Sequence, residues 1–237
     1  MAWALALMIL FGTYGAGATV FTIVNNCAYT VWPGTLSGNG GTVLGDGGFA
    51  LPPGKSVPFT TSAGWSGRIW GRTDCKFDDT GKGSCITGDC ANTLKCDHAS
   101  GVPPATLAEL TLGDKDFYDV SLVDGYNLPL TVTPVGGTGV CKTAGCVSDL
   151  RASCPAELSI KNEGQVTACK SACLAFGTPE YCCTGEHANP QTCSPSKYSK
   201  EFKKACPYAY TYAFDDPSSL YTCSGANYII TFCPTSY

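Results

Sequence analysis

Between Glu109 and Asp124 the chain carries five carboxylic side chains, Glu109, Asp114, Asp116, Asp119 and Asp124, against one base, Lys115. Two carboxyls can break a glycosidic bond when one stays protonated as general acid and the other is ionised as base or nucleophile, at about 5 Å for retention or roughly 6.5–9.5 Å for inversion. This stretch therefore offers candidates for glycoside chemistry or for an acidic binding cleft. In DFYDVSLVDG, the period of two of a strand sets Phe117, Asp119 and Ser121 on one face and Tyr118 and Val120 on the other, so Asp119 can point where Glu109 points. The plain alternative is an exposed rim or turn, and Asp124, in the DG of VDGYN, suits a β-turn. Tyr118, Tyr126 and Phe214 neighbour the acids in sequence and have faces a sugar could stack on, although each taken singly reads more readily as core.

Other chemistries are disfavoured. His98 and His187 are the two histidines, both in loop-like contexts, which argues against a Ser-His-Asp or Cys-His nucleophile; no metal and no cofactor is expected. With 15 basic against 19 acidic side chains the formal charge is −4, so nucleic acid is not an expected partner. The 16 cysteines, an even number, point to disulfides and to an oxidising, extracytoplasmic compartment.

The elements that must position these residues can be read in outline. Residues 1–17 form an expected signal peptide, with an apolar run from Ala2 to Phe11 giving way to GAGA and cleavage placed after Gly17 or Ala18. That run is shorter than the roughly 20 residues that span a bilayer. Residues 18–237 then form one expected domain. TVFTIVN (Thr19 to Asn25) and NYIITFC (Asn227 to Cys233) read as strands. Between them, Gly and Pro punctuate short apolar runs in a way that favours many short antiparallel strands. From about 134 to 206 the character changes: nine cysteines gather there. Val166, Cys169, Cys173 and Phe176 fall at helical spacing over Gln165 to Phe176, before Gly177. A second helix is expected over Ser196 to Ala205, capped by Ser196, with its lysines on a solvated face.

The blocks FTIVNNCAYTVWPG, GRIWGRTDCKFD, GSCITGDC, PPATLAEL, DFYDVSLVDGYNLP, EYCCTG and NYIITFCP, in this order, resemble the thaumatin-like family over essentially the whole mature chain. The most specific block is GKGSCITGDCANTLKC (Gly81 to Cys96), in which Asn92 or Thr93 stands where Gly or Gln is usual. The resemblance implies a mainly-β fold, a flattened antiparallel β-sandwich core with a small helical disulfide-rich lobe (about 140–206) and a minor looped lobe. It implies eight disulfides: Cys27 with Cys233, Cys75 with Cys85, Cys90 with Cys96, Cys141 with Cys223, Cys146 with Cys206, Cys154 with Cys169, Cys173 with Cys182, and Cys183 with Cys193. It also implies an acidic cleft built from Arg68, Glu109, Asp119, Asp124 and Asp216, with Arg72 and Asp215 as rivals for Arg68 and Asp216. Glu109 would be the catalytic acid and Asp124 the base or nucleophile.

The function so implied is that of a secreted, extracellular (apoplastic) plant defence protein of the pathogenesis-related, osmotin and thaumatin type. It would be antifungal and bind β-1,3-glucan or fungal cell wall, with weak endo-β-1,3-glucanase action left open, and would work as a monomer. The alternative is a non-enzymatic protein that perturbs a fungal membrane or contacts a receptor, through exposed aromatics or through Lys197, Lys200, Lys203 and Lys204.

Overall fold

The computed structural model describes residues 18–38 and 40–237; the expected signal peptide lies outside them. In chain order the strands among the described residues are β1 (Val20–Asn25), β2 (Trp32–Ser37), β3 (Ser56–Thr60), β4 (Ser66–Phe77), β5 (Gly83–Thr87), β6 (Leu107–Thr111), β7 (Asp116–Ser121), β8 (Leu130–Thr138), β9 (Ala144–Cys146), β10 (Ser159–Asn162), β11 (Gln165–Cys169) and β12 (Tyr221–Phe232). The α-helices are α1 (Ala172–Phe176), α2 (Pro179–Cys182), α3 (Lys197–Ala205) and α4 (Asp216–Ser219).

The sandwich is one curled sheet in the order β2-β4-β6-β7-β12-β1-β3, with β5 on β4 and β8 on β12 and β9. Its two layers share β12. The first residues of that strand, Tyr221 to Cys223, pair with β7, and from Ser224 onward it pairs with β8. Gly225, at φ +67°, takes the left-handed conformation that a side chain would resist, and it marks the bend from one layer to the other. Most pairings are antiparallel, but β1 runs parallel to β12, Phe21 opposite Tyr228. Alternation fills the core between the layers: Phe21, Ile23, Ile69, Leu110, Tyr118, Val120, Leu130, Val132, Tyr228, Ile230 and Phe232 are all buried there. Phe21 stands edge-on to Trp65 and to Tyr228, with ring centroids 5.1 and 5.9 Å away. Edge-to-face contacts of this kind add to the area they bury.

All sixteen cysteines are paired, in the eight combinations that the family resemblance implies. Two of these bridges, Cys75–Cys85 and Cys90–Cys96, lie in the looped lobe around β5, which lays a second small core of Trp70, Cys90, Cys96, Ala105 and Leu107 on the outer face of the first layer.

The helical lobe differs from the sequence reading in its first half. Gln165 to Cys169 is a strand, not the start of a helix, and pairs with β10. Glu163 at φ +49° and Gly164 at φ +82° make a tight turn of the kind that joins hairpin strands, and Val166 and Thr167 are β-branched. The helix begins only at Ala172, where the Ser171 hydroxyl caps the Leu174 amide, and ends at Gly177 in the left-handed conformation. The second expected helix is α3, and Ser196 caps it through the Ser199 amide.

Candidate functional site

The outer face of the first layer positions the acids. In the sheet register Arg68 lies opposite Glu109, and Glu109 lies opposite Asp119. The three side chains thus form one row across β4, β6 and β7, on the face turned away from the main core. Directly opposed residues on one face have Cβ atoms roughly 4.5–5.5 Å apart. Trp70, Arg72 and Leu107 share this face but are roofed by the looped lobe; Trp70 Nε1 donates to the Gly88 carbonyl at 2.8 Å. Where the roof stops, the face is open.

Two adjoining depressions occupy the open part. One, of about 360 Å³, is lined by Leu36, Ser66, Phe117 and Leu220 besides Arg68, Glu109 and Asp119. The other, of about 260 Å³, shares those three residues and adds Ser121, Asp124 and Tyr210. Asp124 occupies the Leu122–Gly125 turn, closed by the Gly125 amide donating to the Leu122 carbonyl at 3.0 Å, and from that turn it lines the second depression. Asp216 is exposed and lines neither depression; it stands beside the second through Tyr210, whose hydroxyl its carboxylate accepts at 3.1 Å.

Arg72 and Asp215 are engaged elsewhere. Arg72 is fully buried and donates to the carbonyls of Trp32, Thr93 and Leu94 at 3.0, 2.9 and 2.7 Å; it holds the looped lobe. Asp215 turns inward to Lys203, Nζ to Oδ2 2.8 Å. Among the other acids, Asp116 is a core acceptor for the Tyr228 hydroxyl at 2.8 Å, and Asp114 is exposed. Tyr118 and Tyr126 are core residues, fully buried, and Phe214 is half-buried outside both depressions. The aromatic side chains that do border the acids are Tyr210, in the second depression, and Phe117, 43 % exposed, in the first. The alternation of Phe117 with Asp119 was the signal in the sequence; reading aromatics by nearness in sequence passed over it.

The electrostatics are uneven. Arg68 approaches Glu109 at 3.6 Å, both side chains about a third exposed, an ion pair of small worth to stability. Burial still raises the Glu109 carboxyl above its usual range, opposed by Arg68 and helped by Asp124. Asp119 is the more perturbed: burial, then the charges of Glu109 and Asp216, push it up to about 8 against the pull of Arg68. Its Oδ1 is out of solvent and accepts no hydrogen bond from the protein. Of the two carboxyls, Asp119 is the one whose proton affinity is raised more. Among the described residues there is no group of three His, Cys, Asp or Glu arranged to hold a metal ion.

A stability prediction follows from Asp119. Its folded value lies above the ordinary carboxylate value of about 3.9, so the folded chain holds this proton more tightly than the unfolded chain. Stability is therefore lost as pH rises from about 4 through about 8, where the buried group must ionise. Asp119→Asn, neutral throughout, removes that loss. If even a quarter of the shift survives solvent screening, about 1.4 kcal/mol, the variant melts about 3–5 °C above the wild type at pH 8. Near pH 4 the two should melt together. Melting curves at both pH values check this, and a gain of equal size at both would refute it.

Comparison with known proteins gives the chain its place. The Thaumatin family model matches residues 25–234. A pathogenesis-related thaumatin-like protein 3.5 from Cryptomeria japonica is 72% identical over 98% of this chain and 97% of its own length. A protein of Prunus avium named glucan endo-1,3-beta-glucosidase is 51% identical over 97% of this chain and 96% of its own. Among solved structures, a thaumatin-like xylanase inhibitor superposes with a TM-score of 0.51 at 26% identity, covering 90% of this chain and 99% of that one. The curled mainly-β sheet, the eight disulfides and these likenesses agree, and the chain belongs to the thaumatin family, as a pathogenesis-related thaumatin-like protein.

Proposed function

We propose that the chain is a secreted antifungal defence protein that binds β-1,3-glucan along the acidic cleft. The observation that carries this reading is the row Arg68–Glu109–Asp119 across three adjacent strands, on the floor of an open groove with Phe117 exposed beside it. Neutral polysaccharide offers hydroxyls and apolar ring faces. Ionised carboxylates and Arg68 supply acceptors and donors for the hydroxyls, a protonated Asp119 adds a donor, and Phe117 with Leu220 offers an apolar platform to a ring face.

The same row is arranged for slow hydrolysis. Asp119, protonated at neutral pH, is suited to be the general acid. Glu109, directly opposite it in the sheet register and drawn towards the ionised form by Arg68 against its burial, is suited to be the partner carboxylate. Asp124 stands further along the groove as the alternative base. The Prunus avium relative, named for endo-1,3-beta-glucosidase activity, supports testing for cleavage.

The test measures retention on a soluble β-1,3-glucan and release of reducing ends from it, for the wild type, Glu109→Gln and Phe117→Ala. Phe117→Ala is expected to weaken retention roughly tenfold, the order of burying one aromatic face, about 1–2 kcal/mol. Glu109→Gln should abolish any release. Full retention by both variants would sink the cleft as the glucan site, and a wild type that neither binds nor cleaves would sink the function.

A further inference from the structure

We infer that the Lys203–Asp215 pair is the strut that fixes the segment beside the acidic cleft to the helical lobe, which makes Lys203 and Asp215 positioning residues for Asp216. Lys203 was expected on a solvated helix face. It sits instead in the last turn of α3, and its ammonium, which has three protons to give, finds three short acceptors: Ala209 O at 2.7 Å, Ser219 Oγ at 2.8 Å and Asp215 Oδ2 at 2.8 Å. The Asp215 side chain, 9% exposed, is satisfied on its other sides. Its Oδ2 accepts from the Thr211 amide at 3.0 Å and hydroxyl at 2.9 Å, and its Oδ1 accepts the Ser218 hydroxyl at 2.9 Å. The segment 209–219 therefore wraps around one ion pair.

Besides the pair, the Ser219 hydroxyl donating to Ala209 O at 3.1 Å and the Tyr221 hydroxyl donating to Ser218 O at 3.0 Å hold the end of the segment, but neither touches Asp216. Tyr210 is tied to the end of β7, its amide donating to the Val120 carbonyl at 2.8 Å while its own carbonyl receives the Leu122 amide at 2.8 Å. Beyond Tyr210, the backbone bonds of Ser218 to Asp215 and of Leu220 to Asp216 are local to the turn. Asp216 is the next residue after Asp215, and Tyr210 bonds to it. Loss of the pair leaves a mostly buried charge without its partner, which a flexible turn relieves by moving outward. Asp216 would move with it, away from Asp119, whose proton affinity the Asp216 charge helps to raise.

The experiment follows the carboxyl titration of Asp119 by carbon NMR in the wild type, Lys203→Met and Lys203→Arg, with melting temperature and glucan retention measured alongside. With Asp216 displaced, the Asp119 midpoint is expected to fall by about half a pH unit or more in Lys203→Met, the size of one neighbouring charge made distant. It should return in Lys203→Arg, whose guanidinium can still reach Asp215. Should Lys203→Met not fold, Asp215→Asn, whose amide oxygen keeps the acceptor for Thr211 while its NH2 can donate to the Ser218 hydroxyl, is titrated in its place with the same expectation. A lower melting temperature with an unmoved Asp119 midpoint would overturn the inference and leave the pair a stabilising contact alone. The retention arm rests on the proposed glucan reading, and several-fold weaker retention is expected in Lys203→Met; if the wild type itself binds no glucan, that reading fails while the titration still decides the strut.

Discussion

Arg72→Met should cost the protein about 3–5 kcal/mol, whereas Arg68→Met, four residues earlier on the same strand, should cost under about 1 kcal/mol. Arg72 is fully buried and pairs with no carboxylate. Its charge is compensated by carbonyl dipoles of Trp32, Thr93 and Leu94, by a longer contact to Pro33 O at 3.4 Å and by the Phe77 ring 5.5 Å away. Burial drags its own proton affinity down to about 10, so it remains cationic at neutral pH. Methionine matches its bulk but leaves those carbonyls facing an apolar side chain, and unmade buried acceptors are what make such changes costly. Lysine is expected to recover little, because one compact ammonium cannot span acceptors on both β2 and the looped lobe. Denaturant unfolding checks the pair of variants, and a cost for Arg72→Met no greater than for Arg68→Met would defeat the argument.

Removing the Cys27–Cys233 bridge, with alanine at both positions, should cost about 5 kcal/mol, against about 3 kcal/mol for the Cys75–Cys85 bridge. The first joins residues 206 apart, the second residues 10 apart. Because Cys141–Cys223 already short-circuits part of the long loop in the unfolded chain, the effective loop is shorter, but the logarithmic dependence on length makes the correction small. The effect acts mainly on the unfolded state, so the denaturant slope should rise as that state expands. In the folded state the change is mild, since β1 and β12 remain hydrogen-bonded side by side. Equal losses for the two bridges would show that chain entropy does not govern them.

What could be read from the sequence, and what could not, has a common physical cause. Alternation told which side of β7 each residue takes, and the structure keeps it: Tyr118 and Val120 lie in the core, Phe117 and Asp119 outside. Alternation does not tell what covers a face. Arg68 and Arg72 share one, and only the looped lobe, folded over the second of them, leaves Arg68 lining the open depressions while Arg72 is buried. The same holds for Lys203, whose helix position suggested solvent until the segment 209–219 wrapped around it. Gln165 to Cys169 misled differently: its spacing fits a helix, but the Glu163–Gly164 turn decides for a hairpin, and a two-residue turn outweighs a short periodic match. The disulfide pairing and the cleft residues came from family likeness, because neither loop lengths nor residue types choose among so many pairings or set a distance between carboxyls.

The sharing of β12 between the two layers bears on how the protein is made. A chain emerging from the ribosome N-terminus first presents β1 early, yet β1 finds its parallel partner only when β12 arrives, nearly two hundred residues later in sequence. β7 and β8 wait for the same strand. Up to that moment three strands hold unfilled edges, open to pairing with another chain. Closure of the sheet is therefore a late event after synthesis, dominated by distant contacts and slow in consequence, and a nascent chain cut off before Tyr221 would have no means of joining its two layers.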